Sequence, residues 1–397
     1  MVKPYLSSAY KDKDSLIAGW RDIHVIITNK SGETSSVTDL LGYALYYYTV
    51  YKAFGQEQDA SRAKELLEQL LQQLAHYSVG SWSSAQLDEV VTLAWLYAEF
   101  VEQGIAKKEH NALLVELDHR LLAQAGLLLQ HEASSVPDFL RIVRYFCLRH
   151  PGQPLATNLL TKALAQKTAG FWPSLVASSP DLDGAESVTR LGLADGLAGE
   201  LLLLIRLAET GAAPQLDDIR EQVHQGIVYI LSAKREVDFS ERKYAIFPDY
   251  IANDQDEATF SNELSWRHGD LGQALLLYTS HKLLQDPELL RLAELVGLNT
   301  LLRTDVRSTA VTNSRFSSGA AGVAHLYRTL YQLSGHDAYR KGYAFWLTQT
   351  RNWLTTELNT DFYRHHEGDL LHGLVGVGLV LLSAISEQEL PWDRALL

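Results

Sequence analysis

Leu193-Ala194-Asp195-Gly196-Leu197-Ala198-Gly199 opens a long apolar run, and three later stretches repeat its pattern. They are Trp266-Arg267-His268-Gly269-Asp270-Leu271-Gly272, Phe316-Ser317-Ser318-Gly319-Ala320-Ala321-Gly322 and Leu371-His372-Gly373-Leu374-Val375-Gly376. Each sets polar side chains beside a Gly-x-x-Gly that starts a hydrophobic helix. A repeated helix start of this kind points to one site assembled from several repeats.

Weaker versions lie upstream. Thr38-Asp39-Leu40-Leu41-Gly42 keeps the second glycine and runs into Tyr46-Tyr47-Tyr48, which read as wall packing. The stretches from Gln86 to Trp95 and from Asp138 to Phe146 have lost both glycines and keep only the apolar spacing. Markers at 39, 89, 142, 196, 269, 319 and 373 are separated by 50, 53, 54, 73, 50 and 54 residues. A near-constant period of this size is the signature of a repeat architecture.

Second helical patterns fall between the markers. Residues 59–71 put apolar side chains on one stripe and charge on the other. Asp286-Pro287-Glu288 offers an N-cap, a proline at the first helical position and acid in the first turn. Residues 339–347 read as another such helix. Each repeat is therefore expected to be a hairpin of an inner and an outer helix. No run alternates with period two for long enough to predict a sheet, and residues 235–264, in the longest gap, read as an irregular loop. The last repeat carries the motif in full, whereas an open solenoid wants atypical capping repeats at its ends. The expected fold is all-α, an α/α toroid of about seven inner and seven outer helices, forming one domain over residues 1–397.

Composition narrows the function. The chain is 46% hydrophobic and 21% charged, with 10 prolines, as in ordinary globular proteins. A net charge of -13 argues against a nucleic-acid partner. No segment reaches the ~20 apolar residues of a membrane span, and the start Met1-Val2-Lys3-Pro4-Tyr5 shows no secretory pattern. A single cysteine, Cys147, excludes an intramolecular disulfide, fits a cytoplasmic location and reads as a buried apolar residue.

With these residues laid out, the chain resembles the lanthionine synthetase C (LanC-like) family, the cyclases of lanthipeptide biosynthesis. The likeness is carried by Ser265-Trp266-x-x-Gly269-Asp270-Leu271-Gly272, by Gly319 through Tyr327, and by Gly192-Leu193-Ala194-Asp195-Gly196. It implies an α/α toroid that binds zinc and adds peptide cysteine thiols to dehydroalanine or dehydrobutyrine. It also implies a precursor peptide as partner, with a dehydratase or transporter of the maturation complex beside it. The departures matter as much. Arg267, Ser317 and Ser318 stand at the family's three zinc-ligand positions, Asp195 at its catalytic histidine, and Glu263 at an arginine. Trp266 is retained, and Asp138 by a weaker alignment. Zinc wants Cys, His or carboxylate, so no zinc or other cofactor is expected.

The candidate catalytic residues are Asp138, Asp195, Trp266, Arg267, His268 and His372. Helix amino-terminal N–H groups together with Arg267 would favour a thiolate without metal, and His268 or Asp195 would relay a proton. Plainer readings stand beside these. Asp195 and Arg267 form a structural ion pair, Ser317 and Ser318 cap a helix, Asp138 does the same, His372 is a hydrogen-bonded histidine, and His325 is a satisfied core histidine. On those terms the chain holds a peptide without performing chemistry. A third class, a glycoside hydrolase on the same fold, would need paired carboxylates, for which Asp195, Glu263, Asp270 and Asp138 are available.

Overall fold

The computed structural model describes residues 13–34, 36–74, 82–105, 111–130, 136–149, 188–194, 196–209, 216–252, 257–386 and 389–396. Seven helices head the expected repeats: α2 (Val37–Phe54), α4 (Ser84–Glu102), α6 (Val136–Arg149), α7 (Leu197–Glu209), α9 (Asp270–Leu284), α12 (Ala320–Ser334) and α14 (Leu374–Ile385). Among the described residues the helices between them are α1 (Lys13–Lys30), α3 (Glu57–Leu74), α5 (Asn111–Gln130), α8 (Leu216–Ser232), α10 (Pro287–Thr300), the short α11 (Val306–Thr309) and α13 (Asp337–Glu357). Three short strands, β1 (Val188–Arg190), β2 (Tyr250–Ala252) and β3 (Glu257–Thr259), complete the regular structure with a 3₁₀ turn over Pro391–Ala395.

The alternation of buried and half-exposed helices follows from sequence. In α14, eleven of twelve residues are buried, and each fully buried Leu or Val contributes about 1.5–3 kcal/mol. By contrast α3 buries Ala63, Leu66, Leu67 and Leu70 while Glu65 and Glu68 stay exposed. The caps of α10 form as expected, with Asp286 accepting from the Glu288 N–H at 2.9 Å and Pro287 in the first turn.

Contacts divide the chain into two compact units. The first comprises Met1–Gln124, Thr312–His325 and Arg340–Leu396. There α2 packs against α3 and α4, while α1 packs against α14. Tyr46, Tyr47 and Tyr48 are buried on α2 as wall residues, and a Cβ at Gly378 would stand 2.9 Å from the Tyr46 ring and 3.1 Å from Ile23. Glycine lets those three helices approach. Trp392 is buried, with its indole N–H donating to Ser383 at 2.8 Å.

The second unit comprises Ala125–Val311, Leu326–Tyr339 and Leu397. There α9 packs on α10 and α7. Tyr278 and Tyr339 pair through their hydroxyls at 3.1 Å, and Tyr327 meets Thr300 at 2.8 Å. The strands form an antiparallel sheet in the order β1-β2-β3, with Thr189 opposite Ile251 and Ile251 opposite Ala258. This corrects the reading of residues 235–264 as irregular. Strands of three residues are too short to display alternation, and β1 lies far from β2 in sequence.

The repeat markers also need correction. Those at 196, 269, 319 and 373 fall immediately before their helices, but 39, 89 and 142 lie inside α2, α4 and α6. Without the first glycine of the motif, apolar spacing identifies a helix and not its first turn. The better signal for α4 is the capping box, Ser83 accepting from Gln86 N and Gln86 accepting from Ser83 N.

Candidate functional site

At each of the four strong motifs the preceding loop packs close behind the marker glycine. A Cβ at Gly269 would collide with the carbonyl of Glu263, and one at Gly373 with that of His366. At Gly319 it would lie 2.5 Å from Arg315 N. Gly269 also has φ +92°, a conformation side chains disfavour. Glycine thus lets the preceding loop fold down onto the helix start. That loop uses donors which the sequence reading left open to an anion: Ala320 N–H goes to Asn313 O at 2.9 Å, and Leu374 N–H to Glu367 O at 3.1 Å.

In the second unit the loops leading into α7 and α9 meet. Leu193 N–H donates to Arg267 O at 2.8 Å. A Cβ at Gly192 would clash with that same carbonyl and stand 2.7 Å from His268 Nδ1. Arg267 and His268 are therefore held beside Gly192 and Leu193. The His268 N–H donates to Ser265 Oγ at 3.0 Å, while its buried Nδ1 has no hydrogen-bond partner among the described residues. Trp266 is buried. Asp195 lies outside the described residues, and with it the Asp195–Arg267 ion pair.

Asp138 is buried in the first turn of α6, where Arg141 donates to it at 2.5 Å. The helix begins at Val136, so Asp138 is not its N-cap. On the same helix burial pushes the Cys147 thiol up to about 12, although the side chain is only partly buried.

Asp270, considered above as one of a carboxylate pair, has another occupation. It is wholly buried, ion-paired with Arg303 at 2.9 Å, and accepts from Ile246 N and Phe247 N at 3.1 and 3.0 Å. Burial pushes its carboxyl up, against the pull of Arg303 and those N–H groups. Arg303 also donates to Asn262 O at 2.6 Å and Ser308 O at 2.8 Å. One buried pair thus ties three loop segments to the start of α9. It has no free carboxylate oxygen to offer a sugar acid–base pair.

In the first unit the loops leading into α12 and α14 meet. Ser317 N–H donates to Leu371 O at 2.9 Å, and Ser317 Oγ lies 3.0 Å from His372 Nδ1. The Ser317 hydroxyl is thus engaged across the two loops. Ser318 stands half-buried beside Gly319, the residue directly before α12. Asp369 Oδ1 accepts from Leu371 N at 2.7 Å and His372 N at 2.9 Å. Deeper in, Glu357 accepts from Ser314 N at 3.0 Å, Ser314 Oγ at 2.5 Å and Tyr363 Oη at 3.1 Å. Burial pushes the Asp39 carboxyl of α2 up, with Asp369 and Glu367 adding to the rise. His325 is the satisfied core histidine expected, buried against Phe316 and Trp392 with Asp393 3.6 Å away.

Arg303, Glu357 and Tyr363 escaped the sequence reading. Arg303 lies 33 residues from Asp270, and Glu357 and Tyr363 lie 43 and 49 residues from Ser314, separations that no local motif spans. Among the described residues no group of three or more His, Cys, Asp or Glu is arranged to hold a metal ion.

A buried helix heading each repeat, followed in most repeats by a half-exposed one, with polar loops folded on the glycine starts, defines a class of all-α repeat protein. Residues 174–397 match the family described as lanthionine synthetase C-like protein, and the chain belongs to that family. Among solved structures, nisin cyclase matches at 16% identity with a TM-score of 0.73, covering 95% of this chain and 96% of that one. This likeness concerns the fold, which is the expected all-α class of the α/α toroid. An unsaturated glucuronyl hydrolase specific for heparin also aligns, at 12% identity and a TM-score of 0.42, over 94% and 96% of the two chains. No curated protein sequence matches. No described helix is long and apolar enough to cross a membrane.

Proposed function

We propose that the chain is a LanC-like protein of lanthipeptide maturation that binds a dehydrated precursor peptide in the cytoplasm, beside a dehydratase or transporter, and works without zinc. Family membership supports the peptide. The observation that carries the zinc-free reading is the donor chemistry at the three family positions. Arg267 offers a cationic guanidinium with no lone pair for a metal, and it repels a cation. Ser317 and Ser318 are poor zinc ligands, and the Ser317 hydroxyl is already engaged by His372.

The remaining groups suit one of two outcomes. In the first, the Arg267 guanidinium favours a cysteine thiolate. The thiol proton passes to an imidazole, His268 beside Arg267 or, for a thiol held within the first unit alone, His372; sulfur bonds the dehydro residue's β-carbon as the double bond opens, and the α-carbon takes up a proton. In the second, the chain holds the peptide without chemistry. Asp138, Asp195 and Trp266 belong to peptide positioning under either.

Calorimetric titration with a dehydrated peptide and with its unmodified parent tests the shared claim. Saturable binding that favours the dehydrated form is expected, and Arg267→Ala weakens it. Equal or absent binding of both peptides overturns the proposal.

A further inference from the structure

We infer that Ser317 is a positioning residue for His372, holding its imidazole in one orientation and in the tautomer that carries its proton on Nε2. The inference rests on the reading that His372 moves a proton in this site, and its test is independent of turnover.

Three contacts fix the backbone around the histidine. Ser317 N–H donates to Leu371 O at 2.9 Å, and Asp369 Oδ1 receives the N–H groups of Leu371 and His372. With that backbone held, the ring places Nδ1 3.0 Å from Ser317 Oγ. Ser317 is 0% exposed, so its hydroxyl has no water to turn to. A hydroxyl buried this way that merely accepted from Nδ1–H would leave its own proton unpaired, which is the costlier arrangement. Donation from Ser317 to Nδ1 satisfies both atoms and leaves the ring proton on Nε2. The half-buried ring then carries its N–H at a defined place. A position that carries a metal ligand in the family resembled thus serves here to orient a neighbouring histidine.

Ring-nitrogen NMR of the labelled full-length protein, at a pH where His372 is neutral, decides the matter. Assignment comes from the spectrum of His372→Gln. The wild type is expected to show Nε2–H in at least about tenfold excess over Nδ1–H, and Ser317→Ala to relax that excess toward the few-fold preference of a free imidazole. Ser317→Cys, near-isosteric with a weak donor, falls between. A wild-type His372 that is mixed or carries its proton on Nδ1 overturns the inference, as does a Ser317→Ala spectrum unchanged from wild type. Because no peptide is present, failure of the peptide-binding reading would leave this result standing.

Discussion

The two pairs of motif loops, one in each unit, do the same job by different chemistry. Before α7 and α9, Leu193 N–H reaches Arg267 O, and the loop rests on an ion pair between Asp270 and Arg303 that is buried on both sides. Before α12 and α14, Ser317 N–H reaches Leu371 O, and the loop rests on Glu357, which among the described residues is met by neutral donors from Ser314 and Tyr363. A buried carboxylate can thus anchor a loop with or without a counter-cation. The difference reaches the site itself. The first pair leaves His268 Nδ1 buried without a partner among the described residues, while the second gives His372 Nδ1 a hydroxyl.

Breaking the charged anchor should have the largest effect. Arg303→Met leaves Asp270 buried without its cation and should destabilise the protein by about 3–5 kcal/mol in denaturant unfolding. A loss below about 1 kcal/mol would mean the pair is not the anchor.

Gly269→Ala comes next, since it meets the Glu263 carbonyl and also a left-handed backbone. Overpacking of about 1–3 kcal/mol adds to conformational strain of about 1–2 kcal/mol. Gly335→Ala is its control, because Gly335 has φ +71° but nothing within 4 Å of the added methyl, and it should cost strain alone. Equal losses would show that close approach plays no part at the motif.

Glu357→Gln keeps the shape of the second anchor and weakens its hydrogen bonds. A loss of about 1–3 kcal/mol is expected, smaller than at Arg303. The reverse ranking would contradict the comparison. Cys147, on α6, belongs to neither loop pair and should show the smallest effect. With its thiol pushed up to about 12, alkylation at neutral pH should run at least about a hundredfold slower than for an ordinary thiol. Rapid labelling would show that α6 opens readily.

Much of this architecture could be read from glycines and apolar spacing. The starts of α7, α9, α12 and α14 were visible because Gly196, Gly269, Gly319 and Gly373 mark a loop that must fold back on its helix. The starts of α4 and α6 were misplaced because no glycine marks them. The strands were missed because each is three residues long. In the site, Arg267, His268, Ser317 and His372 were legible as polar neighbours of those glycines. What each one touches was not, since Ser317 and His372 are joined only once two repeats are folded together. Asp270 was misjudged because its partner is set by folding within one repeat. Its partner Arg303 lies one helix later, and only their shared burial reveals an anchor rather than a free acid.

The central claim is that the chain binds a dehydrated peptide without the family's metal. Metal analysis of the purified protein, combined with mass spectrometry of a dehydrated peptide captured by it, tests that claim most directly. Substoichiometric zinc, with peptide retained equally before and after chelation, is the predicted result. One zinc per chain, with peptide capture lost on chelation and restored by the metal, would contradict it.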